Sequence, residues 1–147
     1  MKYVKGDLLS ATKGLIVHGV NCQGVMGSGV ALAIKNTYTK AYLEYLTFVQ
    51  MYGPGRALLG MVQFVHVSKE LVIANAFTQN TYGRDPKRYV SYEAIDTVFA
   101  ELAEFCDPNT PISMPKIGSG LGGGDWDIIR DRLEVRLANH DVTIYEL

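Results

Sequence analysis

The sequence predicts a three-layer α/β/α domain, and three observations carry that prediction. Short apolar segments of strand length recur along the chain, amphipathic stretches with helical spacing fall between them, and two glycine-rich turns each join a strand end to a helix start. Helices that alternate with strands imply a sheet covered on both faces, with the loops at the strand ends forming a crevice. At 147 residues and 48% hydrophobic content, the chain is sized for one compact domain, residues 1–147, that buries its own core.

Tyr3–Val4 opens the pattern as a short edge strand followed by Gly6 and Asp7. Leu15–Val20 is an apolar run ending at Asn21 and the first glycine turn, Gly24-Val25-Met26-Gly27-Ser28-Gly29. Gly29–Asn36 leaves that turn as a helix. A second helix, Ala41–Met51, places Tyr42, Tyr45, Leu46 and Val49 on one face before Gly53-Pro54-Gly55 stops it. Met61–Val67 and Leu71–Ala76 read as strands. The irregular stretch Thr78–Arg88 then serves either as a site-bordering loop or as a plain connector. Tyr92–Cys106 turns Ile95, Val98, Phe99 and Leu102 inward, and the strand Ile112–Pro115 leads to the second turn, Gly118-Ser119-Gly120-Leu121-Gly122-Gly123-Gly124. Trp126–Ala138, with Ile129, Leu133 and Leu137 as core contacts, and the strand Val142–Tyr145 close the series.

Fourteen basic against fifteen acidic side chains leave a formal charge of -1, so no chain-wide positive field attracts a nucleic-acid backbone. Cys22 and Cys106 lie far apart without companions at metal-ligand spacing, which argues against zinc and against a disulfide framework, and no carboxylate or histidine cluster suits Mg²⁺ or Zn²⁺, so no metal is implied. No cofactor is implied. The N-terminus lacks the apolar run of a signal peptide and no apolar stretch is long enough to cross a bilayer, so the expectation is a cytoplasmic monomer that does not engage membranes.

Gly118 to Gly123 formally matches G-x-G-x-x-G, but only one helix and one strand follow it. A dinucleotide fold places that fingerprint in its first βαβ unit, with an acidic residue after the next strand. Neither loop ends in Gly-Lys-Ser or Gly-Lys-Thr, so a Walker site is absent too. Two readings remain for the pair of loops: tight turns, or two cradles that clasp one diphosphate with inward N–H groups and a helix N-terminus.

Single residues carry similar pairs of readings. Asp7 can accept from an exocyclic amine such as adenine N6, or simply hold a turn. Asn21 can grip sugar hydroxyls or favour the turn it opens. His18 can polarise a water or bind phosphate, or be a core histidine satisfied by its neighbours. Asp125 precedes a helix, so capping accounts for it, and Tyr145 can stack on a base or pack in the core.

Four stretches in this order resemble a macrodomain, the ADP-ribose-binding α/β/α module with a central mixed sheet: Tyr3 to Leu9, Val20 to Ala31, Ala74 to Thr78, and Met114 to Leu121. The nearest branch by this resemblance holds terminal ADP-ribose glycohydrolases, DNA-directed antitoxin macrodomains and fungal ADP-ribose 1''-phosphate phosphatases. The resemblance implies that Asp7 and Leu8 meet adenine, and that Asn21 and Gln23 face the distal ribose. It further implies that Met26, Gly27, Ser28, Gly29, Val30 and Ala31, with Pro115, Ile117, Gly118, Ser119, Gly120 and Leu121, wrap the diphosphate. Glycohydrolases of this branch use a lysine where this chain has Thr78-Gln79-Asn80, and one subgroup uses an aspartate where it has Gly122. Phosphatase-like members share the pattern around His18, Asn21 and Cys22 without that lysine. The implied activity is therefore hydrolysis of ADP-ribose 1''-phosphate, with His18 as the water-activating candidate. A silent ADP-ribose reader, or a hydrolase acting on ADP-ribosylated macromolecules, are the alternatives.

Overall fold

The computed structural model describes residues 1–147. Six strands form one sheet: β1 (Lys2–Lys5), β2 (Gly14–Asn21), β3 (Val62–His66), β4 (Leu71–Gln79), β5 (Pro111–Met114) and β6 (Asp141–Glu146). Their order is β1-β6-β5-β2-β4-β3, and every pairing is parallel except that of β3 with β4. The sheet is therefore mixed, with one antiparallel edge. β2 and β4 are its longest strands and read as near-continuous apolar runs because both their faces are covered.

Helices α1 (Gly29–Thr37) and α2 (Thr39–Tyr52) cover one face, and α3 (Tyr92–Phe105) and α4 (Trp126–Arg136) the other. The period-2 alternation of the strands decides which side chain goes where. Leu15, Val17, Ala74, Ala76, Ile112 and Met114 pack under α3 and α4 against Ile95, Val98, Phe99, Leu102, Ile129 and Leu133. Ile16 and Ile73 point the opposite way, toward Ile34 and Ala41, while Val20 and Phe77 meet Tyr45 and Val49 further along. No helix is long and apolar enough to cross a membrane.

Helix starts differ in a way that bears on function. Ser91 Oγ accepts from Ala94 N at 3.1 Å and Asp125 Oδ1 from Asp127 N at 2.9 Å, so α3 and α4 have side-chain caps. The capping role read for Asp125 is the one observed. Ser28 makes no such bond at α1, and no acidic residue sits in that helix's first turn. Its leading N–H groups stay available.

Element boundaries shift by a few residues for local reasons. β4 runs three residues past Ala76 because Asn21 pairs with Gln79 after a register slip between Val20 and Asn21, and Gln79 in turn bridges Val90. β5 stops at Met114, before Pro115, which has no N–H for a ladder. Helix α4 ends at Arg136, with Leu137 as its C-cap.

The second glycine turn contains glycines of two kinds. Gly118 has φ of +79°, and a Cβ there would lie 2.9 Å from Ile95 Cδ1, 3.0 Å from Val90 Cγ2 and 3.1 Å from Ile129 Cδ1. Gly120 has no positive φ, and a Cβ would meet nothing within 4 Å. Gly118→Ala should therefore lose about 1–3 kcal/mol of stability through left-handed backbone strain and overpacking. Gly120→Ala should stay within about 0.5 kcal/mol of wild type. Urea denaturation of the two variants measures the contrast, and equal losses would refute it.

Candidate functional site

A cavity of about 600 Å³ opens at the carboxyl ends of β2, β4 and β5, where the parallel strands release their loops. His18, Gly19, Val20, Asn21 and Thr78 form its floor; Val25 and Gly27 to Ala31 form one wall; Pro115 to Gly118 and Gly120 to Gly122 form the facing wall. Gln79 and Tyr82, Gly83 and Arg84 close a third side. The stretch Thr78–Arg88 thus borders the site. The uncapped start of α1 lies in the first wall, so N–H groups without intrahelical acceptors and the positive dipole end sit at the cavity.

The lining holds no Asp or Glu, and its cations are Arg84 and Lys116. Lys116 Nζ is paired with Glu146 Oε1 at 2.7 Å. No group of three or more His, Cys, Asp or Glu side chains is arranged to hold a metal ion. The arrangement suits an anionic ligand bound by backbone amides.

Of the positions singled out in the sequence, His18, Asn21, Gly27 to Ala31, Pro115, Ile117, Gly118, Gly120 and Leu121 meet at this cavity. Several others do not line it. Asp7 Oδ1 accepts from Leu9 N at 2.9 Å and caps a 3-10 turn, while Leu8 is buried in the core beside Ile16 and Ile34. Met26 is buried against Tyr45 and Phe77, and Ser119 Oγ donates to Lys116 O at 2.6 Å. Gln23 turns its Nε2 to Asn80 O at 3.1 Å. Tyr145 packs half-buried against the core rather than standing free.

Asn21 spends most of its amide inside its own loop. Oδ1 accepts from Gln23 N at 3.0 Å, Nδ2 donates to Val25 O at 2.7 Å, and the Tyr45 hydroxyl lies 2.9 Å from Oδ1 and 2.7 Å from Asn21 O. Gly24 N donates to the same hydroxyl at 3.1 Å. The first loop is thus tied to α2 through Tyr45, a residue that sequence reading placed only in the core.

His18 is buried beside Asn75, with Nε2 2.6 Å from Asn75 Oδ1. Asn75 Nδ2 donates to Ala41 O at 3.2 Å and Gln63 Oε1 at 3.1 Å, so its oxygen faces the ring and Nε2 carries the proton. Nδ1 is left buried without a partner. Burial lowers the ring pKa to about 4, only partly offset by the Asn75 bond. A shielded nitrogen of such low basicity suits a pin between β2, β4 and α2 better than it suits water activation. The pair was not legible in the sequence, because it requires knowing that β2 and β4 are neighbours in register.

This depressed pKa has a consequence for stability. The unfolded ring titrates near 6.5, so the stability contribution is complete above that pH and is lost as pH falls toward 4. The stability difference between wild type and His18→Gln should shrink by roughly 3 kcal/mol between pH 7 and pH 4, because only the wild type has this ring to protonate. Chemical denaturation across that range checks it, and a pH-independent difference would contradict the assignment.

With this geometry in hand, comparison with known proteins places the chain. A model of the Macro domain family matches residues 17–133. The ADP-ribose 1''-phosphate phosphatase of Lodderomyces elongisporus is 30% identical over 160 aligned residues, covering 99% of this chain and 97% of that protein. The DNA ADP-ribosyl glycohydrolase of Thermus aquaticus is 29% identical over 99% of this chain, which spans only 41% of that longer protein. A macrodomain protein from Streptomyces coelicolor superposes with a TM-score of 0.82 at 29% identity, covering 99% of this chain and 98% of that one. The family model spans most of the chain, and the chain belongs to the Macro domain family.

Proposed function

We propose that this macrodomain binds ADP-ribose and hydrolyses ADP-ribose 1''-phosphate to ADP-ribose and inorganic phosphate. The observation that carries the reading is the cavity itself: two glycine walls and an uncapped helix start, with no carboxylate to repel an anion. The near full-length match to a phosphatase relative supports it as well. Glycoside hydrolysis usually employs a pair of carboxylates about the scissile bond, and none lines this cavity. Gln79 stands where the resemblance calls for a lysine, and Gly122 where it calls for an aspartate.

In the proposed reaction water attacks phosphorus, the bond from phosphorus to the C1'' oxygen breaks, and that oxygen leaves with the bonding pair. A proton from the attacking water balances it, giving ADP-ribose and phosphate. The chain's contribution is positioning the phosphoryl group and offering N–H donors to its oxygens as charge shifts. His18, neutral and sealed, contributes shape and not proton transfer. Such a site supplies only part of the usual catalytic apparatus, so turnover is slow.

The same feature of His18 favours a second reading, a silent ADP-ribose reader, since a pocket complementary to a ground state accelerates nothing. Phosphate release from ADP-ribose 1''-phosphate separates the two. Release should persist in EDTA. In His18→Gln, corrected for folded fraction, it should fall by less than about tenfold, against the 10²–10⁴-fold loss expected on removing a general base. Binding of ADP-ribose with no phosphate release would leave the reader.

Gly120→Val tests the binding site independently of chemistry. The added side chain has open space at a wall of the cavity, so the fold should hold while calorimetric affinity for ADP-ribose drops at least tenfold. Unchanged affinity in a folded variant would show that the second loop does not touch the ligand.

A further inference from the structure

The segment between β4 and α3 is a strap fixed to both glycine loops. An antiparallel bridge between Gln79 and Val90 closes its base. Cys22 N donates to Gln79 O and to Asn80 O, each at 3.1 Å, which ties the strap to the first loop. Tyr89 N and Val90 N donate to Gly122 O at 2.7 and 3.0 Å, which ties it to the second. The Tyr89 hydroxyl packs against Gly83, where a Cβ would overlap it. The cavity-lining residues Tyr82, Gly83 and Arg84 are therefore carried between fixed points.

Among the strap's cations only Arg84 lines the cavity. Arg88 lies 4.4 Å over the Tyr92 ring and donates to Val90 O at 3.3 Å, and Lys87 lies 4.8 Å over the Tyr89 ring. Lys116 on the facing wall is neutralised by Glu146. Arg84 forms neither an ion pair nor a side-chain hydrogen bond, and no carboxylate lines the cavity to take one. On the floor at the foot of the same strap, Thr78 has its Oγ1 buried without a partner. The cavity thus carries one free guanidinium, on the strap, in addition to the N–H donors of its glycine walls.

We infer that Arg84 recognises a terminal phosphate monoester on the distal ribose and so sets a preference for ADP-ribose 1''-phosphate over ADP-ribose; this rests on the reading under Proposed function. A guanidinium fork matches a phosphate with two parallel hydrogen bonds, which a ribose hydroxyl cannot accept in the same way. Anchoring at both ends of the strap reduces the ordering that the contact requires.

The test uses two ligands: ADP-ribose, and a 1''-phosphonate analogue of the phosphorylated sugar that cannot release phosphate. Wild-type protein should bind the analogue more tightly. Arg84→Gln should weaken the analogue by about 10- to 100-fold, the range for a hydrogen bond to a charged group, and ADP-ribose by less than threefold. Arg84→Lys, which keeps the charge without the fork, should fall between. Equal losses for both ligands would place Arg84 on the inner diphosphate and overturn the inference, as would no loss for either. Wild-type protein that binds neither ligand would instead refute the underlying function. Arg84 is exposed, and an unchanged melting curve for each variant establishes that the comparison is between folded proteins.

Discussion

The parallel ladder between β2 and β4 is the constraint from which the site follows. It runs in register from Gly14 opposite Leu71 to Val20 opposite Phe77, then slips so that Asn21 meets Gln79. That slip sets the first glycine loop beside the start of the strap, and Cys22 N finds its acceptors there. The same ladder places His18 beside Asn75, whose amide reaches on to α2. A different register would move alternate residues to the opposite face of the sheet and separate all of these partners.

Global and local electrostatics diverge in this molecule. A formal charge of -1 gives no long-range attraction for an anion, yet the cavity excludes every carboxylate and gathers helix N–H groups and a free guanidinium. Attraction is therefore short in range and directional, which suits a small ligand better than a polymer whose binding grows with accumulated charge. Acidic side chains are placed where they serve the fold instead. Asp96 joins Arg136 across α3 and α4 with contacts of 3.1 and 2.7 Å, and that guanidinium holds its carboxyl below the usual range.

What the sequence made legible was whatever depends on local periodicity or on glycine. The ten elements emerged within a few residues of their observed bounds, because buried faces repeat at 2 or 3.6 residues. The two loops emerged because clustered glycines at strand ends mark turns, whether or not those turns also cradle an anion. Side-chain roles were less legible, since they depend on partners distant in sequence. Asn21 carries the right chemistry for a sugar, but Tyr45, 24 residues away, and the loop's own N–H groups occupy most of it. Met26 sits in a loop that lines the cavity, yet its apolar side chain turns to the core beneath. Arg84 is one of several cations in a polar stretch, and only its place on the cavity lining without a partner distinguishes it.

The polar knot beneath the first loop fixes the geometry on which the proposed activity, which uses no strong base, would depend. Tyr45, Asn21, Gly24 and Val25 satisfy one another in a pocket closed by Phe77 and Val49, and burial pushes the Tyr45 phenol up so that it remains a neutral donor. Buried and internally satisfied, this network has little freedom to rearrange. The N–H groups at the start of α1 are consequently aimed before a ligand arrives, and donors that need no reorientation stabilise developing charge more than mobile ones do. A site of this kind binds first and catalyses to the extent that its fixed donors match the transition state better than the ground state. Between the two proposed readings, reader and hydrolase, the placement of these fixed donors is therefore the physical variable that decides.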